Sequence, residues 1–122
     1  MQKILIADTS PETTEALSAS LSGNYEVHTC ADPADLIRLL DLLRPDAVIV
    51  SAPLAGLDGL LQIGRLSSPP RVLVILTNIV TEQLLQTALS IHASYILRIP
   101  FALQPLLRKL HDLLGNKKSP QY

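Results

Sequence analysis

The strongest constraint on this chain is a pair of uninterrupted apolar runs, residues 47–50 (Ala-Val-Ile-Val) and 72–76 (Val-Leu-Val-Ile-Leu). Each is too short for a helix and rich in β-branched residues, so each reads as a strand buried on both faces. Strands of that kind belong to parallel sheets with helices packed on either side. Ser51 stands at the end of the first run and Thr77 at the end of the second. In an open parallel sheet, ligands and reactions sit just beyond the carboxyl ends of the strands. The neighbourhood of Ser51 is therefore where chemistry is to be sought.

Three further segments complete a set of five strands, each followed by a helical pattern. The first covers residues 3–8. Thr9 or Ser10 can cap the helix that follows, with Pro11 near its first position and Glu12 in the favourable first turn. Ala16, Leu17 and Leu21 supply its inner face. Residues 25–30 alternate in polarity, as a half-exposed strand near a sheet edge does. His28 and Cys30 share a face there, but two ligands make a weak metal site, and they read as ordinary strand residues.

Asp32 caps the second helix, with Pro33 at its first position and Leu36, Leu39, Leu40 and Leu43 as its stripe. Arg44-Pro45 stops it. Beyond Ser51, Pro53, Gly56 and Asp58-Gly59 break the pattern, and the third helix is expected over residues 60–66. The fourth spans about 81–91, with Leu84, Leu85, Ala88 and Leu89 facing in. Residues 94–98 form the fifth strand. The last helix carries Leu103, Leu106, Leu107, Leu110, Leu113 and Leu114 at i, i+3, i+4, i+7 spacing and ends at Gly115-Asn116.

Right-handed crossovers leave few ways to wind such a chain. The expected architecture is α/β and doubly wound, flavodoxin-like, with a five-stranded parallel sheet in the order 2-1-3-4-5 and five helices. Residues 1–115 form the domain and residues 116–122 a tail or the start of a linker. That order brings together the strand ends at Asp8 and Thr9, at Ser51 and at Thr77.

Composition removes several classes. With 48% hydrophobic and 17% charged residues the chain is globular. A net charge of −1 gives no electrostatic case for gripping nucleic acid. The single Cys30 forms no internal disulfide, and no pair has zinc-site spacing. No uncharged run reaches the roughly 18 residues of a membrane helix, and the first apolar stretch is too short for a signal peptide, so the cytoplasm is the default location. None of the three histidines has a Ser or Cys partner at a known motif spacing.

Five landmarks in register resemble the receiver domain of bacterial response regulators: Lys3-Ile4-Leu5-Ile6-Ala7-Asp8, Pro45-Asp46-Ala47-Val48-Ile49-Val50, Leu54-Ala55-Gly56-Leu57-Asp58-Gly59-Leu60, Leu76-Thr77 and Pro100-Phe101. Within that CheY-like family, His92-Ala93-Ser94-Tyr95 is most similar to the stage-zero sporulation regulators. The resemblance implies phosphoryl transfer from a histidine kinase to an aspartate ending strand 3. It also implies Mg²⁺ held by an acidic pair after strand 1 and by a backbone carbonyl two residues past the acceptor. A Thr or Ser ending strand 4, and a Lys before the proline after strand 5, would contact the phosphoryl oxygens.

Carried onto this chain, the phosphoacceptor falls on Ser51 and the acidic pair on Asp8 and Thr9. The metal-facing carbonyl falls on Pro53, the hydroxyl on Thr77 and the lysine on Ile99. The switch aromatic falls on Ile96, with Tyr95 beside it. A one-residue bulge would bring Arg98 to the lysine position, against the ungapped spacing from Thr77. By resemblance the Ile99–Pro100 bond is cis.

The losses share one direction. A carboxylate is ionised at pH 7, whereas a serine hydroxyl needs a positioned base. One remaining acid holds Mg²⁺ poorly, so its binding should be weak or absent. Without Lys or Mg²⁺, nothing offsets charge on the phosphoryl oxygens.

The expectation is a degenerate receiver: no enzyme, no cofactor, no catalytic residue and no metal ligand, with Ser51, Asp8, Thr9, Pro53, Thr77 and Ile99 as a vestigial pocket. It would act through protein partners, with a homodimer through the fourth helix, fifth strand and fifth helix, or through an effector domain after Tyr122. Neither nucleic acid nor membrane would be bound directly. One alternative is a receiver phosphorylated at an unusual residue. Another is a flavodoxin-like FMN redox module, whose phosphate loop Thr9-Ser10-Pro11-Glu12-Thr13-Thr14 superficially resembles; a chain with no Trp and 3% aromatics is poorly equipped to stack a flavin.

Overall fold

The computed structural model describes residues 1–115. Strands and helices alternate throughout: β1 (Lys3–Ala7), α1 (Pro11–Leu21), β2 (Glu26–Cys30), α2 (Pro33–Leu43), β3 (Ala47–Ser51), α3 (Ala52–Gly64), β4 (Val72–Thr77), α4 (Glu82–Ser90), β5 (Tyr95–Arg98) and α5 (Leu103–Leu113). The strands form one parallel sheet in the order β2-β1-β3-β4-β5, as the apolar runs predict. Every residue of β3 and β4 is buried, whereas β2, at an edge, exposes Glu26 and Thr29. The tail expected over residues 116–122 lies outside the described residues.

Side chains alternate across the pleat and build two cores. One face carries Leu5, Val48, Val50 and Ile75 against Leu36 and Leu40 of α2, Leu60 and Ile63 of α3, and Leu84 and Ala88 of α4. The other carries Ile4, Ile6, Ile49 and Val74 against Leu17 and Leu21 of α1 and Leu106 and Leu110 of α5. Each such fully buried Leu or Ile contributes about 1.5–3 kcal/mol of hydrophobic stabilisation.

The caps explain the helix starts. Ser10 accepts from the Thr13 amide (3.4 Å), Asp32 from Ala34 (3.0 Å) and Thr81 from Leu84 (3.1 Å). Arg44, with φ 48°, ends α2 ahead of Pro45, and the Ile99–Pro100 bond is cis.

Three expectations need correction. First, α3 starts at Ala52, not near residue 60. Pro53 stands in its first turn, where a missing N–H costs nothing, and Ser51 caps it. Gly56, at φ 70° and ψ 169°, breaks the helix once, after which it resumes and stops at Gly64. Second, α4 buries only Leu84 and Ala88; Leu85 and Leu89 are 45% and 77% exposed. Third, Ala16 of α1 is exposed. In both helices a narrow stripe suffices: α4 leans chiefly on α3, and α1 on β1, β2 and α5.

At the opposite end of the sheet from the strand tips, α3 and α4 meet closely. A Cβ on Gly64 would lie 2.4 Å from Ile91 Cγ2, so only glycine fits there without displacement.

Candidate functional site

Among the described residues only three polar or charged side chains are buried: Asp8, Ser51 and Thr77. They stand at the carboxyl ends of β1, β3 and β4, which are neighbours in the sheet. Sequence position and topology thus bring together the three side chains that the strand ends single out.

Each of the three is engaged locally. The amide of Asp8 donates to the Cys30 carbonyl (3.0 Å), continuing the β1–β2 ladder. Asp8 Oδ1 accepts from the Ser10 amide (3.2 Å) at the entry to α1. Its Oδ2 is buried and meets no hydrogen-bond donor among the described residues. Ser51 Oγ accepts from the Leu54 amide (3.4 Å) and so caps α3. Thr77 Oγ1 donates to the Ile79 carbonyl (2.8 Å), two residues on.

The other positions lie around this trio without adding charge to it. Thr9 and Pro53 are exposed. The β4–β5 pairing runs from Val74–Tyr95 to Thr77–Arg98 without a bulge, and the Ile99 amide donates to the Thr77 carbonyl (2.8 Å). Arg98 is exposed, and Ile99 packs against the core beneath α1 and α5. Ile96 packs on the opposite core, and Tyr95 holds Lys109 Nζ 5.5 Å from its ring centroid. Beside Thr77 opens a groove of about 250 Å³ whose walls include Pro53, Leu57, Leu60, Ile79 and Leu84. Thr77 and Thr81 are its hydroxyl residues, and none of its lining residues carries the charge that a phosphoryl group would need.

Two groups at the β2 edge have shifted acidities. Glu26 is held below the usual carboxylate range by its hydrogen bond to His28 Nε2 (2.7 Å). Burial raises the Cys30 thiol, whose Sγ donates to the Asp32 carbonyl (3.2 Å). His28 therefore pairs with Glu26, while the thiol beside it on that face turns to the backbone. Far from the strand ends, Tyr25 Oη and His111 Nδ1 share a hydrogen bond of 2.9 Å that ties α5 to the start of β2. No sequence pattern announced that contact, because its partners are 86 residues apart.

Residues 4–111 match the family description "Response regulator receiver domain". The chain belongs to that family. "Response regulator MprA" of Mycobacterium sp. (strain KMS) is 33% identical over 97% of this receiver and 52% of its own length. The receiver thus spans about half the length of the curated relatives it matches. The N-terminal domain of a Wolinella succinogenes protein is 25% identical, with a TM-score of 0.81, covering 93% of this chain and 94% of that one. A two-component response regulator from Clostridium difficile superposes with a TM-score of 0.83 over 98% of this receiver and all of its own chain. At 20% identity that likeness speaks for the fold alone. Among the described residues no helix is long and apolar enough to cross a membrane.

Proposed function

We propose that this receiver has lost phosphoryl transfer by the usual route and works through protein contacts. The observation that carries the reading is the use made of Ser51. At the phosphoacceptor position its buried hydroxyl caps α3, and among the described residues no base is hydrogen-bonded to it to make it a nucleophile. Ile99, at the lysine position, is spent on packing.

The donor chemistry does not fit the Mg²⁺ that the family implies. Mg²⁺ takes hard oxygen ligands, and the strand ends offer one buried carboxylate, Asp8, beside the neutral Thr9 and Ser51. Among the described residues no three His, Cys, Asp or Glu side chains are grouped to hold a metal. On this reading the receiver acts through its surfaces, with no chemical step of its own and no metal or cofactor.

Output then rests on surfaces. Leu85 and Leu89 of α4 stand exposed, and with Tyr95 and Ile96 they border a groove of about 410 Å³ between α4 and β5. Exposed leucines at the edge of a groove support a protein partner or a second copy on the α4–β5–α5 face. A domain beyond Tyr122, such as a transcription-regulating effector, would be its intramolecular client, and the whole would reside in the cytoplasm. The likeness of His92–Tyr95 to the sporulation regulators belongs to the same proposal.

Incubation with acetyl phosphate and MgCl₂, read by intact mass, tests the reading. The expected result is an unchanged mass. One added phosphoryl group mapping to Ser51, Asp8 or Thr77 would favour a receiver phosphorylated at an unusual residue and overturn it.

A further inference from the structure

Acidic and basic side chains are not mixed along this chain. Residues 1–60 hold nine of the eleven Asp and Glu and three of the ten Lys and Arg; residues 61–122 hold the remaining two and seven. The sheet order turns this into a separation in space, because β2, β1 and β3 come from the first stretch and β4 and β5 from the second. The two flanks thus carry opposite charge, and a net charge of −1 does little to keep copies apart. Among the described residues only Glu26–His28 and Asp35–Arg38 form ion pairs. Asp41 on α2, and Arg98 and Lys109 on the opposite flank, are exposed and have no ion-pair partner among the described residues.

Each flank also carries an apolar feature, one a projection and the other a groove. On the acidic flank Leu42 stands out from α2, 69% exposed, beside Asp41. On the basic flank runs the groove between α4 and β5, of about 410 Å³, walled by Leu85, Leu89, Tyr95 and Ile96. Lys109 Nζ lies 5.5 Å from the centroid of the Tyr95 ring, and Arg98 shares the pleat face of Ile96 two residues on. Glu82 is the only Asp, Glu, Lys or Arg between residues 72 and 97, so the groove walls are as poor in charge as the centre of an interface.

We infer that a second copy of this chain fills the groove head to tail: Leu42 of one copy enters the α4–β5 groove of the next, with Asp41 against the positive charge of Lys109 and Arg98. A projection that fits a groove elsewhere on the same molecule makes a heterologous contact. Every dimer then keeps one α2 and one groove free, and the contact propagates into rings or chains. A two-fold dimer of groove on groove would leave Leu42 and Asp41 in solvent. Burial of the Leu42 side chain supplies the affinity, and the opposed charges fix the register and speed the encounter. The head-to-tail contact rests on the reading of the α4–β5–α5 face as an output surface, whose occupant it names.

Sedimentation of the full chain across a concentration series tests this. Association beyond the dimer is expected, weakening as salt is raised. Leu42→Ser and Leu89→Ser, both at exposed positions, should keep the wild-type urea midpoint and each weaken association about tenfold or more. Asp41→Asn should weaken it about two- to threefold. The deciding measurement mixes the two serine variants at a concentration where neither associates alone. The mixture should form one-to-one dimers and nothing larger, because each variant keeps the surface that the other lacks. Failure of the mixture to dimerise would overturn the inference. So would association of Leu42→Ser at wild-type strength with Leu89→Ser impaired, which identifies a two-fold dimer and leaves the output face intact. A wild type that stays monomeric would likewise overturn this inference alone, since a different protein could still occupy the face. Association indifferent to both variants would overturn this inference and the α4–β5–α5 reading together.

Discussion

The strand ends of β1, β3 and β4 and the outer face of α4 make opposite use of their side chains. At the strand ends, polar groups are buried, and two of the three are satisfied by backbone two or three residues away. On α4, leucines that a core would accept are left in solvent. The difference shows which region still faces outward. Groups committed to caps and turns hold the fold, whereas exposed leucines at a groove are available to something else.

The largest expected effect breaks the comparison by restoring charge. Thr9→Asp, Ser51→Asp and Ile99→Lys together should yield a chain carrying a single phosphoryl group by intact mass after acetyl phosphate, where the unaltered chain is expected to stay unlabelled. Ser51→Asp alone should stay unlabelled, since neither Mg²⁺ nor a lysine then offsets the developing charge. Labelling of that single variant would show the remaining site to be competent after all.

On α4 the comparison is sharpened by neighbours of opposite fate. Leu84→Ala, at a 4% exposed position, should cost about 2–4 kcal/mol in urea denaturation. Leu89→Ala, at 77% exposure, should stay within about 0.5 kcal/mol. If the α4 face self-associates, sedimentation should respond to Leu89 and not in proportion to stability. Ser51→Ala, which removes the α3 cap, should cost about 1 kcal/mol. A change near zero would return Ser51 to the status of an uncommitted hydroxyl.

The smallest effect is with pH. The Cys30 thiol is raised on folding, so the folded state prefers it neutral. That contribution is complete below the ordinary thiol range and fades as pH climbs through the folded-state value. Wild type should therefore lose slightly more stability than Cys30→Ala between neutral and strongly alkaline pH, measured by urea midpoints.

Much of this was legible from residue order. The apolar runs at β3 and β4 could only be doubly buried strands, and the winding then places Asp8, Ser51 and Thr77 at adjacent strand ends. The start of α3 was not legible, because Pro53 reads equally as a breaker and as a first-turn residue, and the cap from Ser51 decides between them. Leu85 and Leu89 misled because helical periodicity gives the direction of a stripe, whereas its width depends on how the helix sits on its neighbours. The donor-less Asp8 Oδ2 had no sequence signal at all: it results from how α1 and β2 close around one side chain.

The fit of Gly64 against Ile91 gives α4 a fixed footing at its trailing end, distant from every strand tip. Even alanine at 64 would act as a wedge beneath that footing, and the lever it moves carries Leu85 and Leu89. A single methyl group on the blunt side of the domain would thereby re-aim the exposed leucines without touching a residue beside them.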